Sequence, residues 1–285
     1  MIIFSIAAAL LWLQTGVSAP PGSGTDNRPA EPYRIADHVY FVGASDIASY
    51  LIATDQGHIL IDAGYETTVP IIQANVAKLG FKVSDIKILL NTQAHYDHAG
   101  GFAKMKALTG ARLMITEQDA SIVEAGGRGD FVLAEDEYRF PPVKVDRRLR
   151  DGDQVKLGGV TLTARLTAGH TKGCTTWTFD AVDRGRTYHV VVLGGLSILS
   201  GTRVTGMPTY PTIESDYERT YEILKRMPVD IFLGAHAAYF DGVKKAERLR
   251  AQPDGPNPFV DPVGFRAFVD GAEKRFRAQV EQERR

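Results

Sequence analysis

The apolar run Ile86-Lys87-Ile88-Leu89-Leu90 stops abruptly at Asn91-Thr92-Gln93-Ala94-His95-Tyr96-Asp97-His98-Ala99-Gly100-Gly101, and no other stretch restricts the fold as strongly. A short apolar run of this kind reads as a buried strand, so the polar residues stand at its end. Gln93, His95 and Asp97 alternate at a spacing of two, which turns all three to one side of an extended segment. His98 joins them if the chain bends there. Left without partners, such groups would each cost about 1–3 kcal/mol in lost solvation. A divalent zinc ion removes that cost, because it takes imidazole nitrogen and carboxylate oxygen and, in catalytic sites, leaves one position for water. Ala99-Gly100-Gly101 permits a tight exit into the next helix. Cys174 is the only cysteine, which excludes an intramolecular disulfide and a thiolate-rich zinc ribbon. Ligands must therefore come from His, Asp, Glu or amide groups.

The remaining chain reads as a globular α/β protein. Its 285 residues are 44% hydrophobic and 24% charged, which excludes a disordered chain, a fibre or a coiled coil. With 33 Lys+Arg against 34 Asp+Glu, no net field exists to hold nucleic acid or an anionic membrane, and a small-molecule partner is expected. Residues 1–25 carry no charged side chain, and the apolar stretch ending near Leu13 is followed by Val17-Ser18-Ala19. Too short to span a bilayer, which takes about 20 residues, it reads as a signal peptide over 1–19. A flexible Pro- and Gly-rich leader over 20–32 and one domain over 33–285 follow, in a periplasmic or secreted monomer that leaves no membrane segment after cleavage.

Strands are expected over 39–42, 49–54 and 58–62 as a meander, then over 86–91 and 112–115. Helices are expected over 67–79, closed by Gly80, over 102–108, and from an N-cap at Thr116 to 124. The second half is strand-rich, at 143–145, 154–157, 160–166, 175–179 and 187–193. A capping box at Ser215-Asp216-Tyr217-Glu218 opens a helix to 227, a last buried strand covers 231–234, and an amphipathic helix runs from 262 to the end. Residues 125–142 form the longest irregular connection, and such loops often serve function. His38, His58 and His189 stand alone and read as solvated or hydrogen-bonded side chains.

The run His95-Tyr96-Asp97-His98 resembles the His-x-His-x-Asp-His signature of the metallo-β-lactamase superfamily, with Gln93 in place of the first histidine. Ala168-Gly169-His170-Thr171-Lys172-Gly173 is similar to the family's third metal loop, and Gly234-Ala235-His236 to its last histidine. Together with Tyr210-Pro211 before Glu214-Ser215-Asp216-Tyr217 and the Asn257-Pro258 tail, these runs resemble the glutamine-bearing GOB-type enzymes of the third subclass. The resemblance implies a four-layer αβ/βα sandwich with one or two zinc ions per chain in a groove between the sheet edges. By carry-over, Gln93, His95 and His170 hold the first zinc, and Asp97, His98 and His236 the second. Gln93 would make the first site the weaker one.

The implied activity is β-lactam hydrolysis, hence antibiotic resistance, with a metal-bound hydroxide oriented by Asp97 attacking the ring carbonyl and Ser197 receiving the substrate carboxylate. Related hydrolases of thioesters and lactones usually add a bridging Asp where this chain has Gly195, which favours a lactam over those substrates. A same-fold hydrolase of a lactone, thioester or other amide and a non-catalytic metal-binding domain are the alternatives. Residues 43–48 and 125–142 are candidate groove walls. Cys174, opening an apolar strand, reads as a buried small hydrophobe. Ser84-Asp85-Ile86-Lys87 has the Ser-x-x-Lys spacing of serine β-lactamases but precedes a strand and lacks the partner motifs.

Overall fold

Ile59, Leu60 and Ile61 are all buried, as are Ile88, Leu89 and Leu90, so the strands that carry them must be covered on both faces. The computed structural model, which describes residues 25–285, shows how. One sheet has seven strands in sequence order: β1 (Tyr33–Ala36), β2 (Val39–Phe41), β3 (Tyr50–Thr54), β4 (Gly57–Ile61), β5 (Ile86–Leu90), β6 (Arg112–Thr116) and β7 (Arg147–Leu149). The first four form the antiparallel meander, and β4 to β7 pair in parallel. The second sheet comprises β8 (Gln154–Leu157), β9 (Val160–Leu166), β10 (Thr175–Asp183), β11 (Arg186–Leu193) and β12 (Ile231–Gly234), ordered β12-β11-β10-β9-β8.

Alternation along the central strands sorts their side chains into two cores. Leu51, Leu60, Leu89 and Leu113 face α1 (Val69–Lys78), α3 (Phe102–Thr109) and α4 (Glu117–Glu124) through Ile72, Phe102 and Val123. Ile59, Ile61, Ile88 and Leu90 join Trp177, Val190 and Val192 of the second sheet in the larger core. That core continues into α5 (Ile213–Arg226), α6 (Gly242–Ala251) and α7 (Pro262–Glu283), with Phe232 of β12 lying 5.3 Å from the Phe265 ring and Tyr221 lying 5.6 Å from Phe276. The layers are helix, sheet, sheet, helix. No helix among the described residues is long and apolar enough to cross a membrane.

Several expectations need correcting. No strand forms over 143–145; Val145 instead packs under α4, its amide donating to Glu124, and the edge strand is β7. The capping box does not form, because α5 starts at Ile213 and the Ser215 hydroxyl donates back to the Thr212 carbonyl. Thr116 does not cap α4 with its side chain; its hydroxyl goes to the Gly173 carbonyl at 2.5 Å. The leader is packed from residue 25 onward: Pro29 bridges Ala44, and buried Asn27 bonds Thr67 and Thr68. The expected signal peptide lies outside the described residues.

Candidate active site

Three strand ends deliver the polar residues. Beyond β5 the chain stays extended as far as His95 (φ −80°, ψ 156°), then turns into the single-turn helix α2 (Tyr96–Ala99). The bend separates Asp97 and His98 from the extended segment that carries Gln93 and His95. Asp97 and His98 meet His236, which follows β12, and the three could hold a metal ion, with one donor atom from each lying within 4.8 Å of the others. His98 Nε2 lies 3.2 Å from both Asp97 Oδ2 and His236 Nε2, and the latter pair are 3.5 Å apart.

The outer ring nitrogens fix the tautomers of these two histidines. His236 Nδ1 is 2.9 Å from Asp46 Oδ2, and His98 Nδ1 is 3.3 Å from Asp62 Oδ2. His236 then offers its Nδ1–H to Asp46, His98 sets its Nδ1 beside Asp62, and both rings turn an Nε2 inward beside Asp97. Two lone pairs and a carboxylate oxygen at such separations repel one another unless a cation lies among them, so the donor set fits a divalent metal. Without a metal a proton takes that cation's place: burial alone would depress His98, yet the carboxylates of Asp97 and Asp62 push it up to about 10. Burial would likewise raise Asp97, but His98 and His236 hold it far below the ordinary carboxylate value.

His95 and His170 form a separate group. Their rings meet edge to face, with centroids 4.8 Å apart. His170 sits in the β9–β10 turn, where Gly169 adopts φ +135° and any Cβ would strike the Tyr217 ring at 2.7 Å. Its Nδ1 lies 2.7 Å from the Ser197 carbonyl, and His95 Nε2 lies 3.4 Å from Asp130 Oδ2, which leaves His170 Nε2 and His95 Nδ1 for the site. Burial, reinforced by the neighbouring His95, pushes His170 down to about 3, so its ring is neutral and fit to donate a lone pair. Gln93 is buried, and its Oε1 has no hydrogen-bond partner, an orphan acceptor of the kind a metal would satisfy.

The two loops expected as groove walls supply carboxylates beside the histidines. The 43–48 loop supplies Asp46, whose Oδ1 also accepts from the Ala238 amide at 2.8 Å. The 125–142 loop supplies Asp130, whose Oδ1 accepts from Val132 and Leu133 amides and whose carboxyl, against the effect of burial, His95 draws down to about 2. Sequence reading passed over Asp46, Asp62 and Asp130 as site residues. Asp62 had a signal, since it directly follows an apolar strand, as Asn91 does; its φ of 58° is the structural trace of that turn.

Ser197 is exposed and lies beside His170, but its carbonyl, not its hydroxyl, makes the shorter contact, and Tyr217 donates to that same carbonyl. Cys174 is fully buried, with Sγ 3.6 Å from the Gly195 carbonyl, and burial pushes its thiol up, so it is no nucleophile. His58 and His189 behave as isolated histidines should: the first packs edge-on against Phe81, the second pairs with Asp180 at 2.6 Å on the surface.

The pattern described as the metallo-beta-lactamase superfamily matches residues 42–183. Native FEZ-1 metallo-β-lactamase from Legionella gormanii superposes with a TM-score of 0.88 at 42% identity, covering 90% of this chain and 98% of that one. This chain belongs to the metallo-β-lactamase superfamily, whose hydrolase fold implies a bound divalent metal. Within it, the neighbours include BJP-1 of Bradyrhizobium japonicum, a subclass B3 metallo-β-lactamase (TM-score 0.85, 38% identity, 90% of this chain and 96% of that one). The metallo-β-lactamase GOB-18 of Elizabethkingia meningoseptica is also similar (TM-score 0.86, 37% identity, 93% and 98%), as the sequence resemblance implied. Among curated sequences, a hydroxyacylglutathione hydrolase of Hyphomonas neptunium is 34% identical over 100 residues, and the chain spans 30% of its length.

Proposed function

We propose that the chain is an exported zinc hydrolase that opens β-lactam rings. The observation that carries this reading is the space beside Gly195. A Cβ built there would lie 2.6 Å from Cδ2 and 2.9 Å from Cγ of His170, so the position that bears a bridging carboxylate in thioester- and lactone-cleaving relatives is filled here by the His170 ring. Identities of 42% and 37% over 98% of the solved metallo-β-lactamases FEZ-1 and GOB-18, against 25% and 30% over 84% and 77% of two curated hydroxyacylglutathione hydrolases, support the same choice.

Gln93, His95 and His170 would hold one zinc and Asp97, His98 and His236 a second. Bound there, zinc would polarise a carbonyl and acidify a water from pKa 15.7 to about 7. Asp97, kept ionised, accepts a hydrogen bond from the attacking water and aims it at the lactam carbon. Asp46 and Asp62 hold His236 and His98 in the tautomer that leaves Nε2 free. As the C–N bond breaks, the proton given up by water ends on the ring nitrogen. The exposed Ser197 hydroxyl receives the substrate carboxylate at the groove edge.

The deciding experiment is hydrolysis of a penicillin, a cephalosporin and a carbapenem beside a hydroxyacylglutathione thioester, with and without chelator. β-Lactam turnover abolished by chelation, restored by zinc and indifferent to clavulanate is expected. Faster thioester turnover would sink the reading. Zinc content without any metal-dependent hydrolysis would make the protein a metal-binding domain.

A further inference from the structure

We propose that Asp119 is a positioning residue that sets the separation of the two loops bearing Gln93, His95 and His170, and thereby the affinity of that metal site. The inference rests on the metal-site reading above.

Asp119 is the third residue of α4 and is 1% exposed. Its Oδ2 accepts from the Ala94 amide at 3.0 Å and from the Thr171 hydroxyl at 2.7 Å, while Oδ1 accepts from the Gly173 amide at 2.7 Å. Ala94 stands between Gln93 and His95, and Thr171 directly follows His170. One carboxylate therefore spans both loops of the first group and touches neither Asp97, His98 nor His236, whose histidines have Asp46 and Asp62 instead.

The chemistry of the contact calls for an acid. Among the described residues no lysine or arginine pairs with this carboxylate, and a buried charge without a cation is expensive. What offsets that cost is three donors converging on two oxygens. Only a carboxylate can accept from all three, since the amide of Asn would bring an NH2 group against a backbone N–H. The surroundings are shaped for the approach as well. A Cβ on Gly173 would lie 2.5 Å from the Asp119 nitrogen and 2.6 Å from Cγ, so glycine is required for the His170 loop to reach the carboxylate. Thr116, three residues earlier, holds the Gly173 carbonyl from the other side. A purely structural strut needs none of this convergence on residues adjacent to ligands.

The test is zinc titration of the mature protein against a chromophoric chelator, for wild type, Asp119→Asn and Thr171→Val, with thermal unfolding of each metal-free protein. Loss of an outer partner typically weakens a metal site by about 10–100-fold. That loss is expected in Asp119→Asn at the site that His170→Ala abolishes, with the other affinity unchanged, and a smaller loss at the same site in Thr171→Val. Should Asp119→Asn fail to fold, Thr171→Val carries the test alone. Unchanged zinc affinities, or equal weakening at both sites in step with lost stability, would overturn the clamp. Wild type that binds two zinc ions without hydrolysing β-lactams would defeat the functional reading and leave the clamp standing. Wild type that binds none would defeat both.

Discussion

Gly195 lies against the face of His170 so closely that a Cβ on it would sit 2.6 Å from the ring. The ring can make room only by leaving the Ser197 carbonyl, which its Nδ1 meets at 2.7 Å. Gly195→Asp should therefore displace His170 rather than supply a bridging ligand. Zinc content should fall by one ion per chain and β-lactam turnover by at least about tenfold, the lower end of the cost of disturbing a ligand's surroundings. Metal analysis with paired β-lactam and thioester assays checks this; a gain in thioester turnover would show that the space was available after all.

Asp97→Asn should lower turnover by about 10²–10⁴-fold, the range general-base assistance supplies. The amide cannot carry the charge that sits between His98 and His236 at 3.2 and 3.5 Å. The fold should survive, since Asp97 belongs to neither core, but the metal-free protein should lose some stability because His98 and His236 lose their carboxylate partner. Circular dichroism and rates at saturating zinc separate these outcomes.

What could be seen in the sequence was whatever follows from periodicity or from a short contiguous run. The apolar runs of β4 and β5, the helix over 69–78 and the Gln93 to His98 cluster all have that character. The carboxylates behind the histidines do not. Asp46, Asp119 and Asp130 act through partners 190, 25 to 54 and 35 residues away in sequence respectively, and no local pattern announces a carboxylate whose partner is so distant. α6 escaped notice because its inward face is Lys245 and Ala246 while Val243 is 54% exposed, which leaves little apolar periodicity. Val143 and Val145 alternate like a strand but pack as a coil segment under α4, where tertiary burial and not pairing rewards them.

That inward lysine gives a stability prediction. Lys245 Nζ lies 2.7 Å from Asp261 Oδ2 and near the rings of Phe232 and Phe240, and Asp261 also caps α7 through the Gly264 amide. Burial opposes the charge on Asp261, but Lys245 and the Gly264 amide hold its carboxyl below the ordinary 3.8. A depressed carboxylate contributes stability that is fully present above its unfolded value and lost as pH falls through the folded one. Asp261→Asn should cost about 1–3 kcal/mol, less than a fully buried pair because Asp261 is partly exposed. Denaturant unfolding should show a constant gap between the proteins from pH 5 to 8 that narrows below about pH 4; a gap that persists at pH 2 would remove the ion pair from the explanation.

Gln93 provides the sharpest test of the metal sites. Its Oε1 is buried and unpaired, in a group whose other members are two imidazoles, whereas the His98 and His236 group includes a formal negative charge at Asp97. A neutral amide oxygen is a weaker donor to zinc than imidazole nitrogen, so the first site should empty first under mild chelation. Gln93→His should tighten it and bring zinc content towards two per chain. Because the Asn91 side-chain amide donates to the Gln93 backbone carbonyl at 2.7 Å, a bond that does not involve the Gln93 side chain, the substitution keeps the local turn. Competition with a chromophoric chelator reads the outcome. Equal first-site affinity in the two proteins would mean that the amide is no weak point, and that the carboxylate outer partners, rather than the identity of the third ligand, set how tightly this site holds its metal.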